Sequence, residues 1–210
     1  ASQESIFISD LGSGKVFTLN YEFEIMNMIH TDDMQRPGDI CYDKLGDRIF
    51  IADPPAKRVF VFSPYGEALA QIGNEGSPQT LLQNPISVTT DPLTGDIFIL
   101  DALDRKVKHY DTELRFLSSF GEYDQVPGSF AFPKAIAHAS DGTLFVGDAG
   151  FGNIQMFDPS GALLFFFGET GTEPGQFLMP RNLFIDQDQR LYVADPYNNR
   201  IQIFKYFAQN

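Results

Sequence analysis

A chain of 210 residues with 43% hydrophobic and 20% charged side chains has the length for one domain, or two small ones, and too much apolar content for gross disorder. A formal charge of −13 and a pI near 4.4 exclude non-specific nucleic-acid binding, which Lys and Arg drive by displacing counterions from phosphate, and oppose docking on anionic membranes. Cys41 stands alone, so neither an intrachain disulfide nor a CxxCH haem attachment can form. No apolar run approaches the roughly 18 residues of a membrane span, so no membrane insertion is expected. The opening Ala-Ser-Gln-Glu carries no basic or apolar leader, which reads as a signal peptide either absent or already removed.

Taken in chain order, five short apolar segments end in aspartate: IFISD at Asp10, IFIAD at Asp53, IFILD at Asp101, LFVGD at Asp148 and LYVAD at Asp195. The last four are 48, 47 and 47 residues apart. Six residues after each aspartate stands Val16, Val59, Val107, Ile154 or Ile201, and nine after it Leu19, Phe62, Tyr110, Phe157 or Phe204. Two further rulers run in step: Pro37, Pro85, Pro133 and Pro180, and Gly73, Gly121 and Gly168, each glycine 12 residues before the next proline. A period of 40–50 residues points to a propeller or another array.

Within one period the apolar runs are four to six residues long, β-branched or aromatic, and separated by turn residues, which predicts strands. After Pro133, AIAHA is a first strand and Asp141-Gly142 a hairpin turn of the favoured kind. TLFVGD and NIQMFD follow as second and third strands, Pro159-Ser160-Gly161 turns the chain, and ALLFFFG is a fourth. Four antiparallel strands per period make one propeller blade. The predicted fold is therefore an all-β propeller forming a single domain over 1–210, with units at 4–35, 36–82, 83–130, 131–177 and 178–207. The first unit starts at a second strand and the last stops after a third. Either the missing strands lie in sequence outside this chain, or the ring is five-bladed with an imperfect seam; an incomplete or processed six-bladed relative is favoured.

The string LYVADPYNNRIQIF, with GTEPGQFLMPRNLFID before it and FGEYDQVPGSFAFPKAIA one period earlier, resembles the NHL repeat over about residues 4–207. More narrowly it is similar to exported bacterial six-bladed NHL proteins, some of them associated with multihaem cytochromes. That resemblance implies an extracellular or periplasmic setting and a protein partner of the c-type cytochrome kind.

The repeated aspartates are read as structural clamps. Asp10, Asp53, Asp101, Asp148 and Asp195 would satisfy turn amides and pair with Lys15, Arg58, Lys106 and Arg200 across the hairpin, with Asn153 in the fourth unit. A catalytic centre needs different residues converging once. His30, His109 and His138 share no repeat position, and only His138 is placed to reach the central channel; no metal site and no cofactor is expected. The first-strand positions near the axis offer Asp39, Cys41, Ser87, Thr89, Lys134, His138, Arg181 and Asn182, too few carboxylates for calcium. Cys41 reads as a small buried apolar residue. What varies between units is the loop face, with Arg36, Pro54, Pro55 and Leu103 and with a cationic and aromatic sector of Lys134, Phe151, Arg181 and Tyr197. That sector is the expected partner-binding surface of a non-catalytic interaction scaffold. A metal-dependent hydrolase or lyase using the channel is the alternative.

Overall fold

A computed structural model of the protein describes residues 5–124 and 126–207. The expected unit start at residue 4 and both ends of the expected 1–210 domain lie outside the described residues. The first blade holds β1 (Ile6–Asp10), β2 (Lys15–Leu19) and β3 (Ile25–Ile29). The second holds β4 (Ile40–Asp43), β5 (Arg48–Asp53), β6 (Arg58–Phe62) and β7 (Ala68–Ile72). Next come β8 (Pro85–Thr90), β9 (Ile97–Asp101), β10 (Lys106–Tyr110) and β11 (Phe116–Phe120), then β12 (Pro133–His138), β13 (Leu144–Asp148), β14 (Asn153–Phe157) and β15 (Leu163–Phe167). The fifth blade has β16 (Asn182–Ile185), β17 (Arg190–Asp195) and β18 (Arg200–Lys205). Neighbouring strands in every sheet are antiparallel and sequential, so the chain forms a five-bladed β-propeller with the expected three, four, four, four and three strands. The only helical element among the described residues is a single 3-10 turn, Pro196–Asn198.

Strand pleating sorts the side chains. Residues six and eight after each clamp aspartate face the following blade, and those seven and nine after it face the preceding one. Val59 and Val61 of the second blade thus meet Val88, Ile97, Ile99 and Tyr110 of the third. Val107 of the third meets Ile136, Val146 and Phe157 of the fourth, and Ile154 of the fourth meets Leu183, Leu191 and Val193 of the fifth. The first blade joins the second through Val16, Ile29 and Phe7 against Ile49, Ile51 and Phe62. Among the described residues no apolar cluster joins the fifth blade to the first.

The glycine ruler is explained by packing. Gly73, Gly121 and Gly168 have φ of +99°, +93° and +88°, and a Cβ on them would lie 2.3, 2.4 and 2.5 Å from Leu82, Phe130 and Phe177 respectively. Those three side chains, and Met34 in the first unit, sit three residues before the ruler prolines and are buried. Each therefore pins the loop entering one blade onto the outer strand of the blade before it.

The clamps have a common geometry with one exception. Asp53 accepts from the N–H groups of Gln35 and Arg36, Asp101 from Gln83 and Asn84, Asp148 from Ala131 and Phe132, and Asp195 from Leu178 and Met179, all within 2.7–3.1 Å. In each case two consecutive amides of the inter-blade loop are tied to the second strand, in addition to local turn donors such as Gly150 and Phe151 at Asp148. Among the described residues Asp10 has only local donors, the Gly12 N–H at 2.9 Å and the Ser13 hydroxyl at 2.7 Å, and it is exposed. The expected cation across the hairpin is a correction. Arg200 approaches Asp195 at 3.5 Å, but Arg58 turns away to Asp33 and Gln71, and Lys15 and Lys106 make no ion pair with Asp10 and Asp101. The buried Lys108 takes that place in the third blade, 3.4 Å from Asp101 and donating to the Leu81 carbonyl. Backbone amides already fill the carboxylates, so a cation is not required.

Candidate functional site

The inner strands β4, β8, β12 and β16 stand side by side around the axis and enclose a cavity of about 1050 Å³. Each contributes the two residues that follow its ruler proline: Gly38 and Asp39, Ile86 and Ser87, Lys134 and Ala135, Arg181 and Asn182. The rim is completed by Phe132 and Met179, which immediately precede two of those prolines, and by Tyr197 from the 3-10 turn of the last blade. On the side between the last blade and the first, the walls are Ile201 and Leu11.

Charge is distributed unevenly around this ring. Lys134 is half-buried, with its Nζ 3.2 Å from the centroid of the Phe132 ring, a desolvated cation–π contact. Burial lowers its pKa, the neighbouring Arg181 guanidinium lowers it further, and Asp148 acts in the opposite sense. Lys134 and Arg181 are thus close enough to repel, and neither is paired with a carboxylate among the described residues. Across the ring Asp39 accepts from the Ser87 hydroxyl at 2.7 Å and the Val88 N–H at 3.0 Å, and Ser87 in turn accepts from the Ile136 N–H. Burial raises the Asp39 pKa, with the hydrogen bonds from Ser87, Val88 and Ile40 working against that rise. Asp39 is therefore a stitch linking three inner strands, and the cationic side of the ring is the side with unfilled bonding capacity.

Of the four residues expected to form the sector, Lys134, Arg181 and Tyr197 come together at this cavity. Phe151 does not line it; it is half-buried and its N–H is spent on Asp148. Phe132 supplies the aromatic surface instead. Phe132 and Met179 are not among the expected residues, although both stand directly before a ruler proline, as Arg36 does. The Phe132 ring also covers the Lys134 ammonium. Pro54 lines the cavity, while Arg36 and Leu103 are exposed elsewhere on the loops.

The histidines are dispersed. His30 contacts the Gly14 carbonyl at 3.0 Å, and His109 stacks on Phe98 at 4.3 Å while meeting Asp96 at 2.9 Å. His138 lines no part of the channel: its side chain is buried beside Phe98, with Nδ1 against the Ala139 carbonyl and Nε2 3.7 Å from Asp91. Cys41 packs on the apolar cluster between the second and third blades, and burial pushes its thiol up to about 11, so it is not a thiolate at neutral pH. Among the described residues no three His, Cys, Asp or Glu side chains converge as metal ligands would. No helix of the described residues is long and apolar enough to cross a membrane.

No protein-family model and no curated protein matches the sequence. Solved structures match through the fold alone. A chain of the Kuenenia stuttgartiensis hydrazine synthase superimposes with a TM-score of 0.67 at 13% identity, over 91% of this chain and 52% of that one. A streptogramin B lyase gives 0.72 at 15% identity, over 98% and 66%, and a chain of a nidogen/laminin complex 0.71 at 19%, over 96% and 72%. The chain thus spans about half the length of the hydrazine synthase chain and about two thirds of the lyase.

Proposed function

We propose that this five-bladed propeller is a non-catalytic scaffold of the NHL type that holds a protein partner at its channel mouth. The observation that carries the proposal is the Lys134–Arg181 pair: two neighbouring cations, one braced on Phe132, left without carboxylates among the described residues on a protein of net charge −13. Keeping like charges together costs stability unless an anion meets them, and the rim adds Tyr197 and Met179 as apolar contact around the charge. An acidic protein surface fits. So does the edge of a haem with its propionates, and with the NHL resemblance this favours a c-type cytochrome in an exported, periplasmic or extracellular assembly. The chain superimposed from the nidogen/laminin structure belongs to a protein complex, so it is a compatible neighbour. The alternative of a metal-dependent hydrolase or lyase in the channel draws on the two carboxylates that line it, Asp39 and Asp195; Asp39 is already engaged by Ser87 and Val88, and Asp195 by the Leu178 and Met179 amides.

The test is capture from native material on immobilised protein, with the Lys134→Glu/Arg181→Glu double variant alongside. Loss of about 1–2 kcal/mol of binding and a changed salt response are expected for the variant, because charge complementarity at a rim sets both. Haem absorbance in the eluate tests the cytochrome assignment. Equal capture by both proteins would move the functional face off the channel mouth.

A further inference from the structure

Four residues after each clamp aspartate the backbone turns left-handed, with φ of +68° at Gly14, +56° at Lys57, +53° at Arg105, +64° at Gly152 and +50° at Asn199. Glycine and asparagine enter that region readily, and they hold the position in the first, fourth and fifth blades. In the second and third blades the same strained position carries a lysine and an arginine. Neither side chain is core: Lys57 is exposed and Arg105 half-buried. Strain that packing does not call for points to a use for the side chain itself.

The surroundings of Arg105 indicate the use. Its guanidinium lies 3.9 Å from the centroid of the Tyr123 ring, which comes from the loop between β11 and β12. Tyr123 is 66% exposed, so the stacked pair is presented to solvent. A guanidinium stacked on a ring keeps its N–H edge free for a carboxylate. Leu103, two residues before Arg105 in the same hairpin, is 70% exposed. It occupies the repeat position of Tyr197, which the fifth blade presents at the channel mouth. At the far end of the Tyr123 loop, the exposed Phe132 braces Lys134 in the same manner. One loop thus carries two aromatic rings, each holding a cation, on the face of the channel mouth. On the opposite face Arg48, Arg115 and Arg190 are each paired with an aspartate of their own hairpin.

We propose that the Leu103–Arg105 hairpin, together with Tyr123, is a second contact of the docking face and takes an acidic protein segment that carries an apolar side chain. A carboxylate of that segment meets the N–H edge of Arg105, and its apolar group packs on Leu103 and Tyr123. Arginine and tyrosine beside exposed aliphatic surface are the residues on which protein interfaces concentrate their affinity. A polyanion fits less well, because the net charge of −13 repels a long run of negative charge while a short acidic segment meets the local cations. The contact extends the channel-mouth reading and rests on it.

The probe is a blocked peptide, Glu-Asp-Leu-Glu-Phe-Asp-Glu, titrated at low salt into isotopically labelled protein. Shifts are expected in the amides of Leu103, Arg105 and Tyr123, and binding should weaken as salt is raised. The same peptide with serine for its leucine and phenylalanine, or with lysine for its acids, should bind about tenfold more weakly or worse. Arg105→Gly removes the cation and relieves the left-handed strain, so the variant folds; its denaturation midpoint should hold or rise while peptide affinity falls about tenfold. Leu103→Ser, at an exposed side chain, should weaken binding without moving the midpoint. Shifts absent from those three amides, or affinity indifferent to both substitutions, overturn the proposal. Tighter binding of oligothymidylate than of the peptide would assign the surface to nucleic acid and overturn it too. In capture from native material, loss with Lys134→Glu/Arg181→Glu and full retention by Arg105→Gly overturn this contact and leave the channel-mouth reading intact. Full retention by both variants overturns the two together.

Discussion

Removing the Asp148 carboxylate should be among the most damaging single changes in the protein, while the same change at the equivalent Asp10 should be almost silent. Asp148 is fully buried and accepts four backbone N–H groups: Ala131 at 2.8 Å, Phe132 at 3.0 Å, Gly150 at 2.7 Å and Phe151 at 3.1 Å. A buried donor left without a partner costs about 1–3 kcal/mol. Gly150 and Phe151 lie at the hairpin turn, where water can replace the lost acceptor, so the two inter-blade amides dominate. Asp148→Ala is therefore expected to cost about 3–5 kcal/mol, a large fraction of the roughly 5–15 kcal/mol that holds a typical domain folded. Asp10 is exposed and serves only Gly12 and Ser13 in its own turn, so Asp10→Ala should not move the midpoint beyond experimental scatter. Urea denaturation followed by far-UV dichroism measures both, with the m-value checked for constancy so that the midpoint shift reports stability. Equal shifts at the two positions, or a loss below about 1 kcal/mol at Asp148, would refute the assignment of the clamp's strength to the inter-blade amides.

Other substitutions separate effects that the fold combines. Gly121→Ala adds a Cβ 2.4 Å from Phe130 at φ +93° and should cost roughly 2–4 kcal/mol, whereas Gly175→Ala, at φ +82° in open space, carries backbone strain alone and should cost about 1–2 kcal/mol by the same denaturation assay. The pKa of His138 is lowered mainly by burial, so the unfolded chain takes up its proton first, and the stability His138 contributes is present above about pH 6.5 and lost as pH falls towards its folded pKa. His138→Phe keeps the aromatic contact with Phe98 and removes the titration; denaturation midpoints between pH 7.5 and 5.5 should fall less steeply in the variant, and equal slopes would contradict the sign. Arg181→Gln removes one of the two causes that lower the Lys134 pKa, so an NMR titration of the Lys134 side chain should move upward.

What could be read in the sequence was whatever the repeat enforces in every blade. The aspartates ending IFIAD, IFILD, LFVGD and LYVAD end β5, β9, β13 and β17 because each must meet the amides of the loop 16–18 residues before it, and that constraint leaves the same residue in the same place. The glycine ruler was legible for the same reason, since a Cβ at Gly73, Gly121 or Gly168 collides with the next loop's apolar side chain. Contacts made once were not legible. The rotation of Arg58 towards Asp33 and the cover that Phe132 gives Lys134 depend on side-chain reach across loops of individual length, which no period records. Phe151 and Tyr197 sit on equivalent hairpins, yet only Tyr197 reaches the cavity; the chain after Asp195 turns through the 3-10 segment Pro196–Asn198, and the chain after Asp148 runs through Gly150 and Gly152.

The apolar residues Met34, Leu82, Phe130 and Phe177, each lodged against the outer strand of the preceding blade, set the unit in which this protein loses structure. A fold of stacked repeats unravels according to the balance between the stability within each repeat and the coupling across each junction. Here the side chain that seals an outer strand belongs to the segment leading into the next blade, so the cooperative unit straddles two blades and is out of phase with the sheets. A protease nick in the Asp141-Gly142 hairpin would leave the junctions on both sides closed. A nick between Gly168 and Phe177 would unseat Phe177, uncover β15 and free the start of β16 in a single event. Fragments cut at the hairpins should therefore stay associated under native conditions, and fragments cut at the blade-to-blade loops should part.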